Sequence, residues 1–335
     1  MISIHKHRHF FILILFSILL LSCKKEKQKT TSPSVSTEAK KDTLISSKIK
    51  LDNFHIFGIY PLENGEQYEI FISLSDIYHD SISIPPEIIN DQKNLSFAEL
   101  KQFELPPLYR KKLLKGSHLS ESDTLYLYNY KSNIMEKLPI KNLKAMANLN
   151  GYTSEGEEIY EQDYMIGFQI NKLENQDNAM DKANFTLAYF GNQNPFNNQP
   201  LESMQWQQVS SNKFPAKMQH PNLKPENVYQ YQTADRHYFL LDLMRDANVT
   251  ERKLVVLKKG KIIFEKIYTK GEGAEFIDLN AIENAEYNDH QWTGSLFKGK
   301  PPVIFGFVSA SFGCPEINFL DNNYSEIYIN CDNRH

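Results

Sequence analysis

The chain has 335 residues, of which 41% are hydrophobic, 23% charged and 12% aromatic. That much apolar material supports a core and excludes wholesale disorder, while 14 glycines and three cysteines exclude collagen-like, disulfide-dense and zinc-cluster chains. The length predicts two domains of ordinary size. At the start, Lys6 and Arg8 lie among His5, His7 and His9, and Phe10 to Leu21 then reads FFILILFSILLL. A helix needs about 20 apolar residues to span a bilayer. This run is shorter and fits the apolar stretch of a secretory signal.

The run ends in Leu20-Leu21-Ser22-Cys23. This tetrapeptide resembles the lipobox of bacterial lipoproteins, with Leu at the third position before the Cys and a small residue directly before it. The resemblance implies that residues 1–22 are a removed signal, that Cys23 is acylated on its thiol, and that the new amino terminus is acylated too. Several acyl chains hold a protein durably where one does so only marginally. The implied location is a lipid anchor in the outer membrane, with the lipid bilayer as a partner through Cys23. Residues 23–50 are the acylated Cys and a tether rich in Lys, Ser and Thr, with almost no large apolar side chain before Leu44. Lys24-Lys25-Glu26 partly resembles a surface-export signal of lipoproteins in one Gram-negative phylum. Only one acid follows the lysines, so a periplasmic and a surface-exposed face both stay open.

Lys6 and Arg8 give the signal +2, and eight Lys against Glu26, Glu38 and Asp42 give the tether +5; from −4 for the whole chain, residues 51–335 are left with −11. The basic tether suits contact with anionic headgroups. The acidic body repels phosphate backbones, so nucleic acid is not an expected partner.

From residue 51 short β-branched and aromatic runs dominate, bounded by turn residues. Residues 51–183 are expected to form a β-rich domain with short helices. In it Phe54–Tyr60 and Tyr68–Ser75 flank the turn Asn64-Gly65. Ser96–Phe103 and Pro107–Lys115 read as helices, the first with Ser96 as N-cap and Glu99 three residues on. Thr124–Tyr130 alternates strictly, and Tyr164–Asn171 follows as a strand. Residues 184–235 are expected to be a strand (Phe185–Phe190) and then a connector, because Asn, Gln and Pro fill 20 of the 45 positions from 191 to 235. Residues 236–335 are expected to form an antiparallel, sandwich-like β domain of about seven strands. Its members are Tyr238–Met244, Arg252–Leu257, Ile262–Tyr268, Glu275–Leu279, Val303–Ser309 and a terminal hairpin, with Lys259-Gly260 as a tight turn. The predicted fold class is therefore mainly β with a few short helices (α+β), built from antiparallel sheets. The run from Trp292 to His335 resembles a recurring end-segment of uncharacterised envelope lipoproteins, which implies no activity.

With Cys23 committed to lipid, Cys314 and Cys331 remain, and an oxidising envelope makes a disulfide the default. It closes a loop of about 18 residues. Pro315–Leu320 and Ser325–Cys331 read as strands about Asp321-Asn322-Asn323-Tyr324. Pairing Leu320 with Ser325 sets the cysteines opposite but puts Glu316 and Asn318 across from Ile329 and Ile327. A slip that pairs Phe319 with Ile327 and Ile317 with Ile329 buries a better face. A bulge near Cys314 accommodates both.

Recognisable catalytic motifs are few. HExxH, GxxxxGK[ST] and GxSxG are missing, and Gly271-Glu272-Gly273 lacks a third glycine. No catalytic residue, metal ligand or cofactor is expected. Ser295 and Lys298 have S-x-x-K spacing but sit in a Gly/Pro-rich loop. Glu155, Glu157, Glu158, Glu161 and Asp163 form an acidic run without calcium-loop spacing, and read as solvated. Tyr126, Tyr128 and Tyr130 share a strand face opposite Leu125 and Leu127. Core packing is the first reading of that stripe, and ligand contact the second. Trp206 is the best single candidate for an exposed aromatic contact. The expected function is a membrane-anchored envelope lipoprotein whose body is a binding or structural module for an envelope protein or glycan. A secreted hydrolase of unrecognised type and a glycan-binding protein are the alternatives.

Overall fold

The computed structural model describes residues 54–64, 67–78, 84–173, 182–215, 223–282 and 289–333. The signal, Cys23 and the tether lie outside these residues. The chain is mainly β, with antiparallel sheets and a few short helices, as the residue patterns predict.

A nine-stranded sheet organises the body. Its spatial order is β10 (Glu202–Ser203), β17 (Trp292–Gly294), β18 (Val303–Phe305), β20 (Glu316–Phe319), β21 (Ile327–Asn330), β1 (Ile56–Phe57), β9 (Thr186–Gly191), β5 (Thr124–Asn129) and β6 (Ile134–Pro139). All neighbours are antiparallel except β1 and β21, where Ile56 pairs with Ile329. Four strands separate β5 from β18, yet the Tyr130 ring, just past β5, lies 5.4 Å from Phe305 and 5.2 Å from Trp292. The sheet therefore curls around an aromatic core that includes Phe54, Tyr126, Tyr128, Tyr130, Phe196, Phe297 and Phe319.

Strand alternation supplies two further cores. Leu125, Leu127, Ala188 and Phe190 face outward from one half of the curl. They pack on a five-stranded sheet ordered β2 (Tyr60–Asn64), β3 (Gln67–Ser73), β8 (Tyr164–Leu173), β7 (Lys144–Leu149) and β4 (Gln102–Glu104). Ile304, Phe307 and Leu320 face outward from the other half. They pack on a second five-stranded sheet, β11 (Gln207–Val209), β12 (Lys224–Gln232), β13 (Arg236–Arg245), β14 (Asn248–Lys258) and β15 (Lys261–Thr269), which gives the C-terminal half its sandwich-like layering. A pair, β16 (Ala274–Phe276) and β19 (Val308–Ala310), stands apart from these sheets. Among the described residues the α-helices of five or more residues are α1 (Pro86–Asn90), α2 (Phe97–Lys101) and α3 (Pro107–Gly116), and residues 182–185 are helical too. The expected capping box opens α2: the Ser96 side chain accepts from the Glu99 N–H, and Glu99 accepts from the Ser96 N–H at 2.8 Å. The expected tight turn is present too, with both Lys259 and Gly260 at positive φ between β14 and β15.

The nine-stranded sheet takes strands from all three expected segments. Several other expectations are corrected. Phe54–Tyr60 is not one strand: the chain leaves the large sheet after Phe57, the Gly58 N–H donates to the Asn330 carbonyl at 2.9 Å, and β2 enters another sheet. The segment read as a connector carries all of β10, β11 and β12, anchored by buried Phe196, Leu201, Met204 and Trp206. In the terminal hairpin Ile317 pairs with Ile327 and Glu316 with Tyr328, a register different from both expected ones. After Phe319 the chain leaves the ladder, the Leu320 N–H donates to the Pro302 carbonyl at 2.7 Å, and the Leu320 side chain is buried; the turn is longer for it. Cys314 and Cys331 consequently sit diagonally, with Cα atoms 5.5 Å apart, and they form the expected disulfide.

Candidate functional site

The aromatic stripe and Trp206 are core residues. Tyr126, Tyr128, Tyr130 and Trp206 expose only 7%, 1%, 7% and 1% of their surface. Burial corrects the expectation of an exposed Trp206, and it leaves Tyr126, Tyr128 and Trp206 no open face for a ligand. Strand and connector bury them because each ring completes a cluster. Tyr128 stacks on Phe196 at 5.3 Å and donates to the Gln199 carbonyl at 2.9 Å, and Trp206 packs against Phe307 at 6.1 Å. Such large side chains each contribute about 1.5–3 kcal/mol by leaving water.

One of the four borders a cleft of about 620 Å³. It lies just past β5 (Tyr130, Lys131) and just before β9 (Asn184, Phe185) and β17 (Asp289, His290), and it runs along Phe305–Ala310 to Pro315, Glu316 and Asn318. Phe305, Phe307, Phe185, Tyr130 and Tyr268 form the aromatic lining, with Tyr268 stacked on Phe307 at 4.9 Å and nearly parallel to it. Gly306 is required for this wall. Its φ is +91°, and a Cβ there would collide with the His290 carbonyl.

Each charged wall is internally paired. On one side Lys131 lies 3.3 Å from the Asp289 carboxylate and 4.2 Å from the centre of the Phe185 ring. Asp289 also accepts from the Ser203 hydroxyl at 2.9 Å. On the other side Lys266 contacts Glu316 at 2.6 Å and donates to the Asn318 side chain at 2.8 Å. The Tyr268 hydroxyl is buried and has no hydrogen-bond partner among the described residues. Burial, then the nearby Glu316 charge, push the Tyr268 phenol well above its ordinary pKa, so it remains a neutral donor. Tyr130 is raised likewise by burial and then by Asp289.

A buried polar node fixes the approach to β17. The Asn280 N–H donates to the Gln291 side-chain oxygen at 2.8 Å, and the Gln291 amide donates to the carbonyls of Asp278 and Gly306 at 3.0 and 2.8 Å. The Asn280 side chain accepts from the His290 N–H at 2.9 Å. His290 is thereby locked beside Gly306 on one wall of the cleft. Behind it, Arg252 donates to Asp242 at 3.1 Å and to the Ile277 carbonyl at 2.9 Å, and Ile277 lines the cleft. The disulfide ties the β20 side of the wall to the chain end. There the Asp332 N–H donates to Asp76 at 2.9 Å, and the Ser73 hydroxyl donates to the Asp332 carboxylate.

The other candidate residues lie elsewhere. Lys298 donates to the Asn194 carbonyl at 2.9 Å and is not engaged by Ser295; partial burial, then Lys137, lower its pKa. Within the acidic run Glu157 caps the Ser154 N–H at 2.7 Å, Asp163 caps Tyr160 at 2.8 Å, and Glu158 accepts from the Tyr160 hydroxyl at 2.9 Å. Among the described residues no group of three or more His, Cys, Asp or Glu side chains is placed to hold a metal ion. Sequence reading missed Lys131, Phe185, Tyr268, Asp289, His290 and Glu316, which come from separate segments and form no local motif. Comparison with family models, curated proteins and solved structures found no match to this chain.

Proposed function

We propose that this chain is an envelope lipoprotein, anchored by acylated Cys23 in the outer membrane on its periplasmic or surface face, whose β-rich body is a binding module. The Leu20-Leu21-Ser22-Cys23 signature supports the anchor. The observation that carries the binding reading is the aromatic cleft, held open by Gly306 and the Asn280–Gln291 node. Its volume of about 620 Å³ falls in the range of about 300–1,000 Å³ used by ligand sites. Two measurements test the two halves. Cys23→Ala moves the protein from the membrane to the soluble fraction, and unchanged membrane retention refutes the anchor. The mature protein binds anilinonaphthalene sulfonate at one site per chain, and Ser309→Trp, which places a ring at the cleft edge, abolishes that binding. Dye binding that is absent, or indifferent to Ser309→Trp, refutes the cleft.

A further inference from the structure

Strand β19 carries information beyond the shape of the cleft. Val308, Ser309 and Ala310 all line it. The flanking bonds from Ile277 N–H to the Phe307 carbonyl (3.1 Å) and from Ser311 N–H to the Gly273 carbonyl (2.7 Å) fix which groups face β16. By antiparallel alternation Ser309 exchanges its bonds with Glu275 on β16, while Val308 and Ala310 direct N–H and C=O to the opposite edge. No described strand pairs with that edge.

We propose that the cleft takes an extended stretch of another polypeptide, which adds as a third strand to the outer edge of β19 and lays alternate side chains on the aromatic lining. This rests on the reading of the cleft as the binding surface. Backbone chemistry selects the occupant, because the edge presents donors and acceptors at strand spacing, the pattern that another main chain matches. Charge agrees with it. Lys131 is paired with Asp289 and Lys266 with Glu316, so neither wall adds a net charge that a neutral main chain would have to offset. Two strands alone are marginal, and a third completes a stable sheet. A second copy is disfavoured by size, since a cleft of about 620 Å³ admits a single strand rather than the edge of a folded sheet.

The test is to pan a phage-displayed library of random dodecapeptides on the mature protein in detergent, resynthesise the selected peptides, and measure binding by fluorescence anisotropy. Ala310→Pro removes one outward N–H and leaves the ladder to β16 in place, so affinity falls about tenfold. N-methylation along the peptide abolishes binding at every second residue and is tolerated at the residues between. The methyl scan needs no protein variant and decides the matter even if Ala310→Pro does not fold. Peptides that bind without a two-residue period overturn strand addition. So does a library that yields none while anilinonaphthalene sulfonate still binds one site per chain, a result that keeps the cleft and assigns it another ligand such as a glycan. Loss of the dye site as well would overturn the cleft itself.

Discussion

Removing the Asp242 carboxylate tests the support behind the cleft. Asp242 and Arg252 have side chains only 3% and 6% exposed, and Asp242 accepts from Arg252 Nε at 3.1 Å and from the Tyr229 hydroxyl at 3.2 Å. Asp242→Ala removes the acceptor of both bonds. A buried charge left without its partner costs about 3–5 kcal/mol. Arg252 keeps its bond to the Ile277 carbonyl and its position 4.8 Å from the Phe276 ring centre, which holds the loss near the lower end, at about 3 kcal/mol. The double change Asp242→Leu with Arg252→Met replaces both charges by apolar volume and should lie within about 2 kcal/mol of wild type. Urea unfolding of the four proteins of this cycle gives the coupling. A cost for Asp242→Ala below about 1 kcal/mol would show instead that water or a shift of Arg252 relieves the charge.

Other consequences are direct. Replacing Cys314 and Cys331 by Ser opens a loop of about 18 residues and should lower stability by about 3 kcal/mol in the chain-entropy account, read by urea unfolding. Non-reducing peptide mapping of the native protein should recover the two cysteines joined, and two freely alkylated thiols would contradict this. Gly306→Ala forces a Cβ against the His290 carbonyl at positive φ; a loss of about 1–3 kcal/mol, together with a weakened dye site, is expected from unfolding and titration. Glu121 is held below its ordinary pKa of 4.5, first by its hydrogen bond to Arg110. Its contribution is therefore fully present above pH 4.5 and lost as pH falls through the lower folded value. Arg110→Ala should flatten that acid slope, and an unchanged slope in unfolding measured across this window would remove the pair from the account.

What the sequence made legible was local. The capping box at Ser96 and Glu99, the Lys259-Gly260 turn and the two faces of Thr124–Tyr130 each rest on neighbours within a few residues, and all are present. Strand β6 was invisible because it is an edge strand, mostly exposed, whose residues IMEKLP carry no clear alternation. Strand β7 was missed for another reason: Ala and Asn are poor strand formers, and tertiary burial decides its state. The terminal register was misread because the burial of Leu320, which draws the chain out of the ladder, depends on Ile304 and the far sheet. The cleft is the extreme case. Tyr130, Asp289 and Glu316 meet only because the nine-stranded sheet curls, and no spacing along the chain encodes that curl.

Mass spectrometry of the amino terminus of protein extracted from membranes decides whether the lipid anchor exists. The expected product is a mature chain that begins at Cys23 and carries fatty acyl chains on both the thiol and the new amino group. A chain that retains Met1, or one that begins at an unmodified Cys23, would contradict it.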